Sequence, residues 1–484
     1  MNLDSWLSVH MVMIDNIDVT QTLKTAKEQL DKETQLSPAT KSVFDLLIVI
    51  VSLLLNRLGL NSQNSSKPPS ADPNREKKKK TKRSDKKPGA QPGRQGKNLE
   101  QAPEPDEVVN LTIDRDKLPA GHYENIAIER RQVFDIKIQR WVTEYQAEVL
   151  ADQYGNRYTA DFPDGVSQPV QYGAEIKAHA VYLSQFQLIP YDRIRDYFFD
   201  QVGIPISVGS LFNFNKQAYE RLDAYEKLAR KALINASVLN ADETGINVNG
   251  KKIWLHGAST QQWVLYYPHE KRGKEAMDEA GVLLAFKGIG CHDHWKPYYQ
   301  YSWTHALCNA HHLRELQRAY EQDGQRWAYQ MLILLVSMNE ATKMHNGALT
   351  HEQATPYLMR YKQILDEANE ECPEPTRPPG EKKRGRLKRS KSRNLLERLQ
   401  NYSDDVLKFL THADVPFTNN QGENDIRMTK VQQKISGCFR SMDGAKIFCR
   451  NRGYISSCRK QGKSASDALR AVFSGDPVDF INST

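Results

Sequence analysis

Residues 61–97 read NSQNSSKPPSADPNREKKKKTKRSDKKPGAQPGRQGK. This stretch has nothing from which to build a core, because burial of so few apolar groups cannot offset the entropy lost on ordering. It is therefore expected to be disordered in the free protein and to divide the chain into a short N-terminal part and a long C-terminal part. In the short part, Val19, Leu23, Ala26 and Leu30 recur at helical spacing, which predicts a helix over 16–35. A second helix is predicted over 38–58, stopped by Gly59. The longest apolar run, residues 46–55, falls well short of the roughly 20 residues needed to cross a bilayer, so it reads as a buried helix and no membrane is implied.

Charge narrows the partners. The 484 residues carry a formal net charge of +8, concentrated in three segments. Residues 75–97 hold eleven Lys and Arg against two acids, residues 377–393 nine against one, and residues 427–463 ten against one. Three such segments favour a polyanion, and nucleic acid is the expected partner. Lys77, Lys78, Lys79, Lys80, Lys82 and Arg83 are its candidate contacts in the first segment. With no N-terminal secretion signal and only six cysteines in so long a chain, a reducing cytoplasm is expected.

The chain beyond residue 104 changes character several times. Residues 108–162 alternate apolar and polar side chains between turn signals, which predicts a small β-rich module. Residues 174–236 are helically patterned, with a helix, a turn at 202–209 and a second helix starting near Ser207 or Ser210, compatible with a DNA-reading helix-turn-helix. Three strands follow, SVLNAD, KIWLHGA and WVLYY, joined by turns at Asn249-Gly250 and 259–262. A helix over 274–286, a strand GIGCHD, a strand over 304–307 and a helix over 310–321 complete an RNase H-like pattern.

Asp242 and Asp293 each close a predicted strand. On neighbouring parallel strands they would project from one end of the sheet. Hard divalent cations take oxygen ligands, and two such ions bridging a phosphodiester can serve both its attacking and its leaving oxygen. Glu423, on the first turn of a helix capped by Asn420, is the candidate third acid, with Arg427, Lys430, Lys434 and Arg440 placed beyond it to grip phosphates. Each acid also has a plain structural role open to it: Asp242 in a turn, Asp293 as a helix cap, Glu423 in a capping box. Cys291, His292, His294, Cys308, His311 and His312 include zinc-ligand types without a paired Cys-x-x-Cys; helix-start packing and phosphate contacts by His311 or His312 are the favoured reading. Cys438, Cys449 and Cys458 are expected to face a helical core.

Seven blocks then carry a resemblance: NSSKPPSADP (64–73), GAQPGRQGK (89–97), RRQVFDI (130–136), ADETG (241–245), HDHWKPY (292–298), HALCNAHHLREL (305–316) and NNQGENDIRMTKVQQKISGCFRS (419–441). In this order they resemble the transposases of the insertion-sequence-66 family, and span most of the chain. The resemblance implies that Asp242, Asp293 and Glu423 are DDE catalytic acids and metal ligands, with two Mg2+ (or Mn2+) ions as cofactor. It implies terminal inverted repeats and target DNA as partners, a homo-oligomer on DNA, and accessory proteins of the element. It also implies a zinc-ribbon-like module near 105–168, yet no cysteine precedes Cys291, so thiolate ligation there is excluded.

The organisation expected is α+β and multidomain. N-terminal helices occupy 1–60, a basic disordered linker 61–104, the β-rich module 105–168 and a helical region 169–236. The RNase H-like mixed-sheet catalytic core runs over 237–316 and is completed over 411–463, with a helical insertion carrying a basic loop at 317–410 and a tail at 464–484. The function expected is a DDE transposase that cleaves DNA and transfers strands. Two alternatives stay open: an RNase H-like nuclease that does not join ends, and a catalytically inactive, transposase-derived DNA-binding protein.

Overall fold

The computed structural model describes residues 13–14, 17–33, 36–58, 99–376 and 387–483. The cationic candidates Lys77, Lys78, Lys79, Lys80, Lys82 and Arg83, nearly all of the linker and most of the basic loop lie outside the described residues. Two N-terminal helices form where the periodicity places them, α1 over Val19–Lys32 and α2 over Pro38–Leu58.

The β-rich module does not form as expected. Within 105–168 the ladder is limited to a hairpin of Val149–Ala151 with Arg157–Thr159. Leu111, Ile126, Val133, Ile136 and Trp141 stay exposed. Alternation supplies strand propensity, but a half-buried strand needs a partner layer, and among the described residues neither a core cluster nor a group of metal-ligating side chains lies in this stretch to supply one.

Four helices follow: α3 (Ala174–Val181), α4 (Tyr191–Tyr197), α5 (Val208–Arg221) and α6 (Asp223–Ile234). The Ser207 hydroxyl caps α5 by accepting from the Ser210 amide. The central sheet contains β1 (Val238–Val248), β2 (Lys251–Ser259), β3 (Val264–His269), β4 (Ile289–His292) and β5 (Thr304–Leu307), in the order β3-β2-β1-β4-β5. The first three are antiparallel; β4 runs parallel to β1, and β5 parallel to β4. Asn249 and Gly250, both at positive φ, close the β1–β2 hairpin, the conformation that two-residue loops of this twist require. The helix expected over 274–286 stops early, at Glu279 (α7, Lys274–Glu279), and Gly281 at positive φ turns the chain away.

Beyond the sheet, α8 (Asn309–Asp323), α9 (Arg326–Met344), α10 (His351–Glu371), α11 (Lys391–Asn401), α12 (Ser403–Val406) and α13 (Lys408–Thr411) make up the helical insertion, whose core includes Trp327, Met331, Tyr361, Leu395 and Leu396. This core is continuous with Cys291, Ala306 and Leu307 at the β4–β5 edge. Then α14 (Asn420–Ser436) and α15 (Met442–Lys460) return across β1–β3, burying Ile426, Phe439, Ala445 and Phe448 against Ile246, Ile253, Leu255 and Val264.

The helical region 169–236 is not a separate body. Val181, Ile194, Leu211 and Tyr225 share one core with Tyr454, Ile455 and Cys458 of α15. The expected tail joins the same core as α16 (Ala465–Ser474) and α17 (Pro477–Asn482), through Leu469, Val472 and Ile481. Cys449 and Cys458 are buried as expected, whereas Cys438 is exposed, since it follows Gly437, where a positive φ ends α14 and turns the chain outward.

Candidate active site

Successive residues of a strand face opposite sides of a sheet. On β1, Leu239 and Ala241 enter the core shared with Met277, Phe286 and Trp303, while Ile246 and Val248 face α14 and α15. Asp242 has the parity of Ile246, so its carboxylate lies on the α14 side. It does not close its strand: β1 runs on to Val248 because the hairpin partner β2 continues to pair with it. What ends near Asp242 is the parallel pairing with β4, whose last register pair is Asn240 with Cys291. Two residues further along that register, Asp293 comes alongside Asp242.

Helix α14 is tied over this point by side chains that reach the backbone of β1. Asn419 Nδ2 donates to the Ala241 carbonyl at 2.9 Å, Gln433 Oε1 accepts from the Asn247 amide at 2.9 Å, and Lys430 Nζ donates to the Gly245 carbonyl. The cap differs from expectation: Asn419, not Asn420, is the N-cap residue, and its amide is spent on β1, so no capping box holds Glu423. Gly257 lets the helix approach, since a Cβ there would sit 2.9 Å from Ile426 Cγ1. Glu423 is thereby carried on the first turn toward Asp242 and Asp293.

The electrostatics follow. Burial first, then the charges of Glu243 and Asp293, and also that of Glu423, push the Asp242 carboxyl up from 3.8 to about 8. One Glu423 oxygen is buried without a hydrogen-bond partner. Among the described residues, no lysine or arginine pairs with Asp242, Asp293 or Glu423; the nearest basic group is His311, whose Nδ1 stands 3.9 Å from Glu423 Oε1. Asp242 thus shares its surroundings with Asp293 and Glu423, whose charges reach it, and carboxylate oxygens are the donors that a hard dication takes. Local hydrogen bonds orient two of them, Asp242 Oδ1 accepting from the Glu243 amide at 2.8 Å and Asp293 Oδ1 from the Trp295 amide at 3.0 Å.

A second acid beside the first escaped the sequence reading. Glu243, one residue on, turns to the opposite face and is almost fully buried. It accepts from Arg272 Nη2 at 2.6 Å and from the Tyr298 hydroxyl at 2.6 Å. The Arg272 guanidinium lies between the rings of Trp254, at 4.6 Å, and Trp295, at 4.3 Å. A buried acid at 243 demands a partner, but nothing local in the sequence points to Arg272 on the loop after β3.

Other candidates sort by exposure. Arg427, Lys430, Lys434 and Arg440 are all exposed. With Glu423, the first three fall at spacings of four, three and four, which form one stripe along α14. His312 is buried and packs against Asn309 Oδ1 at 3.0 Å, so it faces no phosphate, whereas His311 faces Glu423. The exposed face of α5 presents Phe212, Asn213, Lys216, Glu220 and Arg221; Lys216 pairs with Glu220 and Arg221 donates to the Val472 and Phe473 carbonyls, which is thin electrostatic support for reading DNA.

No helix among the described residues is long and apolar enough to cross a membrane. Residues 169–447 match a family model described as Transposase IS66 family, and residues 19–100 match a family of unknown function (DUF6444). The uncharacterized protein y4jO of Sinorhizobium fredii is 39% identical over 70 residues, 14% of this chain and 22% of that protein. The chain thus spans about a fifth of the length of this curated relative.

Proposed function

Because the chain belongs to the IS66 family of transposases, we propose that it is a DDE transposase that cuts and joins DNA at the ends of its own insertion sequence, with Asp242, Asp293 and Glu423 as its metal-holding acids. The observation that carries this reading is that the charges of Asp293, at the end of β4, and Glu423, on the first turn of α14, both act on Asp242 of β1, whose carboxyl is displaced to about 8. The strand order β3-β2-β1-β4-β5 and the helix crossing its face support an RNase H-like core.

The donor set suits Mg2+ or Mn2+, two ions in this reading, which when bound would supply Lewis-acid stabilisation of charge at the phosphorus and at the attacking and leaving oxygens. The chain's own residues do the rest. Asp242, whose carboxyl burial and neighbouring charges push up, would hold an ion in its deprotonated form. Asp293, oriented by the Trp295 amide, holds its carboxylate toward the shared site. Glu423 is positioned by α14, whose stripe of Arg427, Lys430 and Lys434, with Arg440 beyond it, binds successive phosphates and lays the strand across the acids. The Glu243–Arg272–Tyr298 group locks the opposite face of β1 and so fixes the direction of Asp242.

In the first step a water oxygen attacks the phosphorus at the element's end. The bond to the 3′ oxygen breaks, and that oxygen leaves as a hydroxyl. In the second step this hydroxyl attacks a target phosphodiester and displaces the target's own 3′ oxygen, so one ester is exchanged for another. Two element ends must meet, so the working species is a homo-oligomer on DNA in the cytoplasm, assisted by accessory proteins of the element. The cationic residues Lys77 to Lys80, Lys82 and Arg83 add to DNA capture.

The test is cleavage and joining of a duplex bearing the element's end. Asp242→Asn, Asp293→Asn and Glu423→Gln are each expected to lose at least about a hundredfold in Mg2+-dependent cleavage, more than the loss typical of residues that only support metal ligands. Undiminished cleavage in any of them would remove that acid from the site. Cleavage without joining would favour a plain nuclease.

A further inference from the structure

At the start of α8, three potential ligand atoms face one another beside the carboxylates. Cys308 Sγ, a His311 ring nitrogen and a Glu423 carboxylate oxygen lie within 4.8 Å of one another. Tetrahedral zinc, with bonds of about 2.0–2.3 Å, separates its ligand atoms by roughly 3.3–3.8 Å. The 3.9 Å between His311 Nδ1 and Glu423 Oε1 is already close to that value. Both of these atoms are buried and have no hydrogen-bond partner.

The sulfur is buried and held in place by backbone donors. It accepts from the backbone N–H of Asn419 at 3.1 Å, and the backbone N–H groups of Ala310 and His311 also turn toward it. The two elements are clasped at this point, since the Asn309 amide donates to the Phe417 carbonyl at 3.1 Å. The ligands from α8 and from α14 are therefore held in register by backbone contacts and not by the loose ends of side chains.

We propose that Cys308, His311 and Glu423 form a three-ligand site for a thiophilic divalent cation of the zinc class, with the fourth position open to water. A sulfur, a nitrogen and an oxygen donor favour such an ion over magnesium, which takes oxygen. The consequence rests on the reading of Glu423 as a catalytic acid: an ion held by Cys308 and His311 draws Glu423 away from the Asp242–Asp293 pair. Zinc occupancy then switches cleavage off, reversibly, on chelation.

Cobalt(II) is the probe, because a cysteine-ligated cobalt ion absorbs by sulfur-to-metal charge transfer. The chelator-stripped full-length chain should develop this band and lose it when Zn2+ is added. Asp242→Asn should retain the band. Cys308→Ser should abolish it, and His311→Gln, a change at a half-exposed ring, should weaken cobalt binding at least about tenfold, which serves if the serine variant does not fold. Absence of the band in the parent chain, or its persistence in folded Cys308→Ser protein, overturns the site. Mg2+-dependent cleavage without a cobalt band would sink this site alone. A cobalt band in a chain that never cleaves DNA would sink the catalytic reading alone.

Discussion

Replacing Asp242 with asparagine should make the metal-free protein more stable while removing its activity. The side chain is half-buried, and burial together with the charges of Glu243, Asp293 and Glu423 moves its carboxyl from 3.8 to about 8. The sign follows from proton binding. Between pH 4 and pH 8 the folded chain keeps a proton that the unfolded chain releases, so stability falls as pH rises through that window. The slope is at most about 1.4 kcal/mol per pH unit, which integrates to roughly 6 kcal/mol. Because the group keeps some contact with solvent, about half of that, on the order of 3 kcal/mol, is the more realistic figure. Asparagine has nearly the same shape and no charge to bury. Urea unfolding in a chelator, followed by tryptophan fluorescence across this pH range, should show the two proteins nearly equal near pH 4 and the variant about 3 kcal/mol more stable at pH 8. Adding Mg2+ should stabilise the parent and leave the variant almost unmoved. A variant that is less stable at pH 8, or a difference that does not change with pH, would show that the carboxylate cluster is already compensated and would refute the reasoning.

Arg272→Ala leaves the buried Glu243 carboxylate without its cation and should cost about 2 kcal/mol, below the usual penalty for breaking a buried pair because Arg272 is partly exposed; chemical denaturation measures it. Arg272→Lys should keep most of this stability but lose the two-nitrogen contact and the stacking between Trp254 and Trp295, lowering cleavage without lowering DNA affinity. Gly257→Ala forces a methyl to 2.9 Å from Ile426 and should cost about 1–3 kcal/mol; in an Ile426→Ala background most of that cost should disappear, which a double-mutant cycle reads directly. Alanine at Arg427 or Lys434 should weaken DNA binding for all sequences alike and reduce the slope of log K against log salt by about 1 each, as measured by titration at several salt concentrations.

Much of this protein was legible in the linear chain. The bounds of α2, the β1–β3 meander and its Asn249-Gly250 turn follow from local periodicity and turn chemistry, which act over a few residues. Asp242, Asp293 and Glu423 were candidates because each is an acid that the sequence pattern sets near an element's end, and because the blocks that hold them resemble a known family, although β1 in fact runs on past Asp242 to Val248. The misreadings have one physical cause. Alternation at 108–162 announces strands, but a strand persists only when another layer covers it, and here no layer does. Residues 464–484 read as a tail because their apolar stripe is short, yet α15 and α3 supply the surface that buries it. Tertiary structure alone decided that Asn419 would leave its helix to hold β1, that Arg272 would answer the charge of Glu243 from 29 residues away, and that Cys308 and His311 would meet Glu423. Sequence sets which groups seek partners; only the packed chain, where desolvation makes an unpaired charge costly, determines which partner each one finds.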